Sequence, residues 1–292
     1  MIPTLLVGSV DVSARVLALR LPEYLGQPLI IEPRPGTSTI LGSESVARAP
    51  ADGYTLLITH DGGMVMKTLS LRKATYDPLR DFTPLSLLVT QPLAIVAQAS
   101  LGARSVKELV ASARSSPGTL NSASSGLATT LAMELFNAMA KTDIVAVPYK
   151  GLGEALNSVL VGETHLGFVN LASAATAMKS DKVRVIAITA PQRTALFPDL
   201  PTVDESGVPG FETVSWVGLF GPARLPGDIA SRLTTETRRV LAYPETRSTL
   251  RRSYLEPVGS NGEDLFKVLV ADTEKWARLA RERNLRFTDP GT

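Results

Sequence analysis

The chain has 292 residues, 44% of them apolar and 20% charged, with no apolar run of the roughly 18–20 residues that cross a bilayer as a helix. Its 30 basic and 28 acidic residues leave a formal charge of +2, spread as 13 against 10 from position 222 onward and 17 against 18 before it, which points to no nucleic-acid partner. The absence of cysteine excludes thiol nucleophiles, thiolate metal sites and disulfides, and is compatible with an oxidising compartment. The length lies near the upper limit for one domain, so two lobes are expected.

The predicted elements alternate. Ile2–Val7 reads as a short apolar strand, and Asp11 as the N-cap of a helix with Val12, Val16 and Leu19 on one face. The segment before Asp11 has no basic n-region and no long apolar core, so no signal peptide is read within this numbering. Pro28–Glu32 is extended, Leu41–Arg48 helical, and Asp52-Gly53 turns into a buried strand over Tyr54–Thr59. Leu85–Gln98 holds two apolar runs broken by Gln91-Pro92.

A regular series follows. Ser105-Val-Lys-Glu108 is a capping box for a helix with Val106, Leu109, Val110 and Ala113 on one face. Strands are predicted at Leu120–Ser124, Ile144–Pro148, Leu166–Asn170 and Val183–Thr189. Helices are predicted between them at Leu127–Met139, Glu154–Val161 and Ala172–Lys179. This alternation implies βαβ units and a mainly parallel sheet. After an extended Thr213–Pro222 only helices are predicted, at Asp228–Leu241, Glu245–Ser253 and beyond a capping box at Ser260–Glu263. The last places Leu265, Leu269, Trp276 and Leu279 on one side. A helical tail without strands must pack on an earlier lobe. The expected domains are 1–97 with 222–292, and 98–221, joined by a hinge.

Catalytic signals are sparse. His60 and His165 are the only histidines, and no cluster has metal-ligand spacing. No G-x-S-x-G elbow, P-loop or G-x-G-x-x-G follows a strand, so no metal, cofactor or catalytic residue is assigned. His165 reads as a surface or internally satisfied histidine, whereas His60 ends a strand, where clefts form. Small-residue loops at strand ends recur at Gly8-Ser9 and at Thr59-His60-Asp61-Gly62-Gly63. The most developed is Asn121-Ser-Ala-Ser-Ser-Gly126, which runs from a strand into a helix start. There Ser124, Ser125, Thr129 and Thr130 either cap the helix or help free main-chain N–H groups bind an anion. Asn170 ends the next strand and either lines the same cleft or does not. Lys150 reads as a solvated turn lysine, Arg34 as structural, and Trp216 as either hinge packing or a ligand wall.

Ten stretches in register carry a family likeness. They include Leu25–Gly36, Asp52–Leu57, Tyr76–Phe82, Ser105–Leu109, Asn121–Gly126, Val147–Gly151, Pro198–Val203, Pro209–Glu212, Ser215-Trp216 and Glu256–Gly259. On these the chain resembles the tripartite tricarboxylate transporter substrate-binding proteins, or Bug receptors. The resemblance implies a two-lobed type II periplasmic binding protein fold, α/β with a hinge, and no enzymatic activity. It implies a periplasmic, monomeric receptor that closes on a small carboxylate and delivers it to a membrane permease, with a cleaved leader upstream of Met1. A sensor that docks on a membrane signalling protein is the alternative, and an enzyme on the same scaffold a distant third. The resemblance carries ligand binding to Gly8, Ser9, Ser124, Ser125, Thr129, Thr130 and Asn170, beside the His60-Asp61-Gly62 loop. Three departures stand out: the first loop is short at Val7–Asp11, the helix entry is short at Leu127–Thr130, and Val169 replaces a usual acid. Fewer polar groups imply a ligand with an apolar body and a single carboxylate.

Overall fold

The structure, a computed structural model, describes residues 1–3, 8–34, 40–65 and 75–285. The chain divides into two compact units, one of Met1–Thr90 with Trp216–Thr292 and one of Gln91–Ser215. In chain order the elements are α1 (Gly8–Arg20), α2 (Pro22–Leu25), α3 (Ile40–Ala47), β1 (Leu57–His60), α4 (Asp61–Met64) and β2 (Phe82–Gln98). After a 3-10 turn at Ala99–Leu101 come α5 (Val106–Ser115), β3 (Asn121–Ser124), α6 (Leu127–Ala140), β4 (Val145–Pro148) and α7 (Leu152–Val161). Then follow β5 (Leu166–Asn170), α8 (Leu171–Ala177), β6 (Val183–Ile188), β7 (Val214–Pro222), α9 (Gly227–Ala242), α10 (Pro244–Arg252), β8 (Glu256–Pro257) and α11 (Gly262–Glu282).

The second unit is the regular α/β part. β3 pairs in parallel with β4 and with β5. β5 and β6 both pair antiparallel with the second half of β2, so β3 to β6 share one direction and β2 runs against them. The α5 cap forms in its first half as read, with Ser105 Oγ accepting from Glu108 N at 3.3 Å, while Glu108 Oε2 accepts from Arg104 N, one residue ahead of the cap, at 2.6 Å. Phe136 of α6 anchors the core with edge contacts to Phe168 and Phe211 at 6.1 and 6.0 Å.

In the first unit β1 pairs antiparallel with β7, from Leu57↔Phe220 to His60↔Val217. Leu17, Leu85, Leu88, Val240 and Leu250 form its core with the inner residues of α1, α9 and α10. Trp216 is buried here and donates from Nε1 to Asp272 Oδ2 at 2.8 Å, which ties β7 to α11. Of the two roles read for Trp216, this contact is structural.

Several expectations need correction. The first helix begins at Gly8, and Asp11 lies inside it, buried and paired with Arg15 at 2.9 Å. Its buried residues include Val10, Ala14, Val16 and Leu17, with Val12 packed against them, while Leu19 is 77% exposed. Of the expected face, Leu19 alone is turned to solvent. The final helix is capped by Asn261, whose side chain accepts from Asp264 N at 2.8 Å, one residue later than read, because Ser260 Oγ instead accepts from Leu87 N. The C-terminal third also has a strand: Glu256 and Pro257 pair with Thr90 and Val89. Two residues give too short a pattern to show a period of two. Gln91-Pro92 does not break β2, since proline's missing N–H only costs a ladder bond where one is required. Of the Ile2–Val7 strand, Ile2 forms an isolated parallel bridge with Pro33, and residues 4–7 lie outside the described residues.

Truncating Phe136→Ala should lower the stability of the second unit by about 3–5 kcal/mol. Leu19→Ala should stay within about 0.5 kcal/mol of the parent. Urea titration followed by circular dichroism tests both, and a large loss at Leu19 would return it to the buried face.

Candidate functional site

The parallel ladders of the second unit bring the carboxyl ends of β3, β4 and β5 to one edge. Ser124 lies opposite Pro148, and Asn170 lies three residues beyond the Ala123↔Gly167 pair. Open sheets of this kind bind ligands outside those strand ends.

The helix entry at that edge is built by hydroxyls turned on the main chain. Gly126 occupies the N-cap of α6 at φ 148°, where a side chain would be strained, and offers no side-chain cap. Its carbonyl accepts from Thr129 Oγ1 and Thr130 Oγ1, both at 3.0 Å. Thr129 Oγ1 also accepts from Ser125 N at 3.0 Å, and Ser124 Oγ meets Thr130 Oγ1 at 2.5 Å. The hydroxyls of residues 124, 129 and 130 are thus engaged within the loop. The first-turn amides of Leu127, Ala128 and Thr129 donate to no described residue, and neither does the Ser125 hydroxyl. Asn170 is half-buried and caps α8 by accepting from Ser173 N at 2.8 Å through Oδ1. This leaves its Nδ2 donors without a described acceptor. Among the described residues this donor set comprises amides, a hydroxyl and a carboxamide, and holds no cation.

Gly8, Ser9, His60, Asp61 and Gly62 belong to the first unit. Gly8 opens α1 at φ 79° and is exposed, with no atom near where a Cβ would sit. Ser9 follows, its carbonyl accepting from Ser13 Oγ at 2.7 Å. His60 closes β1 and precedes α4. Its ring folds over Gly62, where a Cβ would approach the ring at 2.6 Å. Asp61 is buried, with Oδ1 at 3.8 Å from His60 Nδ1. Desolvation pushes the His60 imidazole below its usual value, tempered by the 33% of the side chain that still reaches solvent.

Other residues fall outside. His165 Nδ1 meets Asn121 Oδ1 at 2.9 Å, which makes it an internally satisfied histidine. Lys150 is exposed, with its main-chain N donating to Glu154 Oε2, and Arg34 bonds Glu32 and Ser45. Three features escaped the sequence reading. Tyr76 Oη donates to Gly63 O at 2.5 Å and so braces the His60 loop. Thr59 and Ser122 keep buried hydroxyls with no partner among the described residues. Tyr76 opens one of the family stretches, and Thr59 and Ser122 lie in small-residue stretches at strand ends, so each position carried a signal although its individual role did not. Among the described residues no group of three acidic or histidine side chains could hold a metal, and no helix is long and apolar enough to cross a membrane.

Residues 13–285 match the tripartite tricarboxylate transporter family receptor, and the chain belongs to that family. A UPF0065 protein from the tcbD-tcbE intergenic region of Pseudomonas sp. strain P51 is 32% identical over 281 residues, 95% of this chain and 83% of the relative. Among solved structures, R. palustris Rpa4515 with adipate is 34% identical at a TM-score of 0.79, covering 96% of this chain and 95% of that one. MatC (Rpa3494) from Rhodopseudomonas palustris with bound malate is 28% identical at a TM-score of 0.75, covering 95% and 97%. The two-unit α/β architecture is therefore that of the family's periplasmic binding proteins.

The depressed imidazole has a consequence for stability. An ordinary histidine titrates at about 6.5. A folded value below that means the unfolded chain binds the proton first, so stability is full above about pH 6.5 and falls as the pH drops through it. Melting temperatures at pH 7.5 and 5.0 should differ less in His60→Gln than in the parent. An equal difference would show that His60 does not contribute.

Proposed function

We propose that this member of the tripartite tricarboxylate transporter receptor family is a periplasmic, monomeric solute receptor without catalytic turnover. It closes on a small carboxylate and hands it to a membrane permease. The observation that carries the reading is the uncapped start of α6. Three main-chain amides, the Ser125 hydroxyl and the Asn170 carboxamide end at one sheet edge with no described acceptor. A carboxylate supplies the missing acceptors and meets the positive end of the helix dipole, worth roughly 0.3–1 kcal/mol exposed and up to about 2 when partly buried. The solved relatives with adipate and with malate support a carboxylate as the ligand class. Ser124, Thr129 and Thr130 serve by holding the Gly126 carbonyl away from the anion. Gly8, Ser9, His60, Asp61 and Gly62 are the contacts assigned to the first unit.

The solute is one with an apolar body. Val169 and, opposite Asn170 in the β2 ladder, Leu93 are buried and apolar, and among the described residues of the donor set no cation is present to grip a second charged end. Calorimetric titration should therefore rank straight-chain carboxylates above malate, and each solute should be recovered unchanged after incubation. Preference for small hydroxylated diacids overturns the assignment.

Asn170→Asp keeps an acceptor for the Ser173 amide but removes the donors and adds a repelling charge. Affinity should fall about 10- to 100-fold or more, from loss of hydrogen bonds to a charged group worth about 1.5–3 kcal/mol. The melting temperature of the unliganded protein should hold. Leu127→Pro, at a helix position that tolerates proline, deletes one amide and should weaken binding in the same sense. Unchanged affinity in both variants would move the ligand away from this edge.

A further inference from the structure

The surplus of basic residues from position 222 onward sits in two helices. Residues 227–252, which span α9 and α10, hold six arginines, no lysine and three acids. Ion pairs on this surface leave the surplus in place. Arg239 stands 3.7 Å from Glu236, and Arg247 and Arg251 share Glu256 at 3.9 and 2.7 Å. Arg252 reaches Thr249 Oγ1 at 3.4 Å and no acid, and Arg238 is exposed with no partner among the described residues.

These arginines line a groove within the first unit. Three hollows of about 550, 370 and 570 Å3 follow one another along α9 and onto α10. The first two share Thr235 and Arg238, and the last two share Ala242 and Arg247. Ala230, Thr234, Arg238 and Ala242 recur every fourth residue, so they form one stripe of α9, about 18 Å long at about 1.5 Å per residue. The far wall is the start of α11, where Phe266 is 40% exposed. Among the described residues the lining holds five arginines and one acid, Glu263, which Lys267 already pairs at 2.7 Å.

We propose that this groove docks an acidic, amphipathic helix of a protein partner, with carboxylates on Arg238, Arg247 and Arg252 and an apolar side chain against Phe266. Like charges gathered on one face repel in the free protein, and an acidic partner relieves that repulsion. Guanidinium forks match carboxylates in a way that lysine does not, which fits a basic surface built from arginine alone. A bilayer presents a plane and would meet only the rims, whereas a helix enters and lays its apolar face on the partly buried Ala230 and Thr234. A second copy is a poor match: among the described residues no helix carries more than one acid in excess of its bases. On the receptor reading, from which the identity of the partner follows, the acidic helix belongs to the membrane protein that takes the solute.

The test uses the full chain and two labelled peptides, four repeats of Ala-Leu-Glu-Glu and four of Ala-Leu-Lys-Lys, each about 24 Å long as a helix. Fluorescence anisotropy should show the acidic peptide binding at least about 10-fold more tightly than the basic one, and more weakly as salt is raised. Arg238→Glu should lower that affinity about 10-fold or more, and Arg238→Gln by less, with both melting temperatures held. Arg281→Glu, on α11 and outside the lining, should leave it unchanged. Equal binding of the two peptides, or no loss in Arg238→Glu, overturns the proposal. So does binding to phosphatidylglycerol vesicles that Arg238→Glu abolishes while the acidic peptide fails to bind, since lipid is then the occupant. A dimer of the parent chain that Arg238→Glu dissolves overturns it in favour of a second copy. Carboxylate affinity at the α6 edge is titrated in the same proteins: its loss with peptide binding intact fails the receptor reading alone, and the reverse fails the docking groove alone.

Discussion

Three amides at the start of α6 have no acceptor within the described chain, and the loop ahead of them is arranged to keep that so. A helix start normally borrows a Ser, Thr, Asp or Asn side chain as its cap. Here the N-cap is Gly126, which has none, and the nearby threonines turn their hydroxyls back to the Gly126 carbonyl. The arrangement differs from α5, α8 and α11, each closed by its own Ser105, Asn170 or Asn261. α7, α9 and α10 also start without a side-chain cap, and what sets α6 apart is the ring of hydroxyls turned on its N-cap carbonyl. Glycine removes the cap, and its positive φ lets β3 enter α6 without a side chain at the N-cap position.

Gripping an anion with dipoles instead of cations has an energetic logic. An arginine placed at the edge would need desolvation in the empty state, and an unpaired buried charge is among the most destabilising features a fold can carry. Main-chain amides are already part of the helix, fixed in direction, and keep their hydration until a ligand displaces it. The interaction is weaker per contact than a bidentate guanidinium, but it adds no mobile side chain to order. A receptor that must also release its cargo is better served by several modest donors than by one strong ion pair.

Much of this was legible in the sequence where local rules act alone. Ser105 and Glu108 announce α5, the spacing of Leu265, Leu269, Trp276 and Leu279 gives the buried face of α11, and the β3–α6 loop stands out for its serines. What escaped depended on contacts far along the chain. The inner face of α1 is chosen by packing against β1, α9 and α10, and no periodicity within α1 separates Leu17 from Leu19. β8 exists only because β2 offers Val89 and Thr90 as partners. The division of labour at the helix entry was also hidden. Ser124, Ser125, Thr129 and Thr130 look equivalent as letters, yet only the Ser125 hydroxyl is left unspent once the backbone is folded.

The residues read as site candidates are held differently in the two units. In the second, β3 and β5 are paired on both sides, so Gly126 and Asn170 are held by a completed ladder. In the first, β1 has β7 on one side and, among the described residues, Met1 on the other, whose carbonyl accepts from Ile58 N. His60 and Asp61 therefore depend on shorter-range bracing: Tyr76 on the Gly63 carbonyl, and a ring seated on Gly62. Local stability tracks how completely a segment's backbone is paired. By that measure the α6 edge is the more completely paired segment, and the His60 loop leans on the contacts of Tyr76 and Gly62.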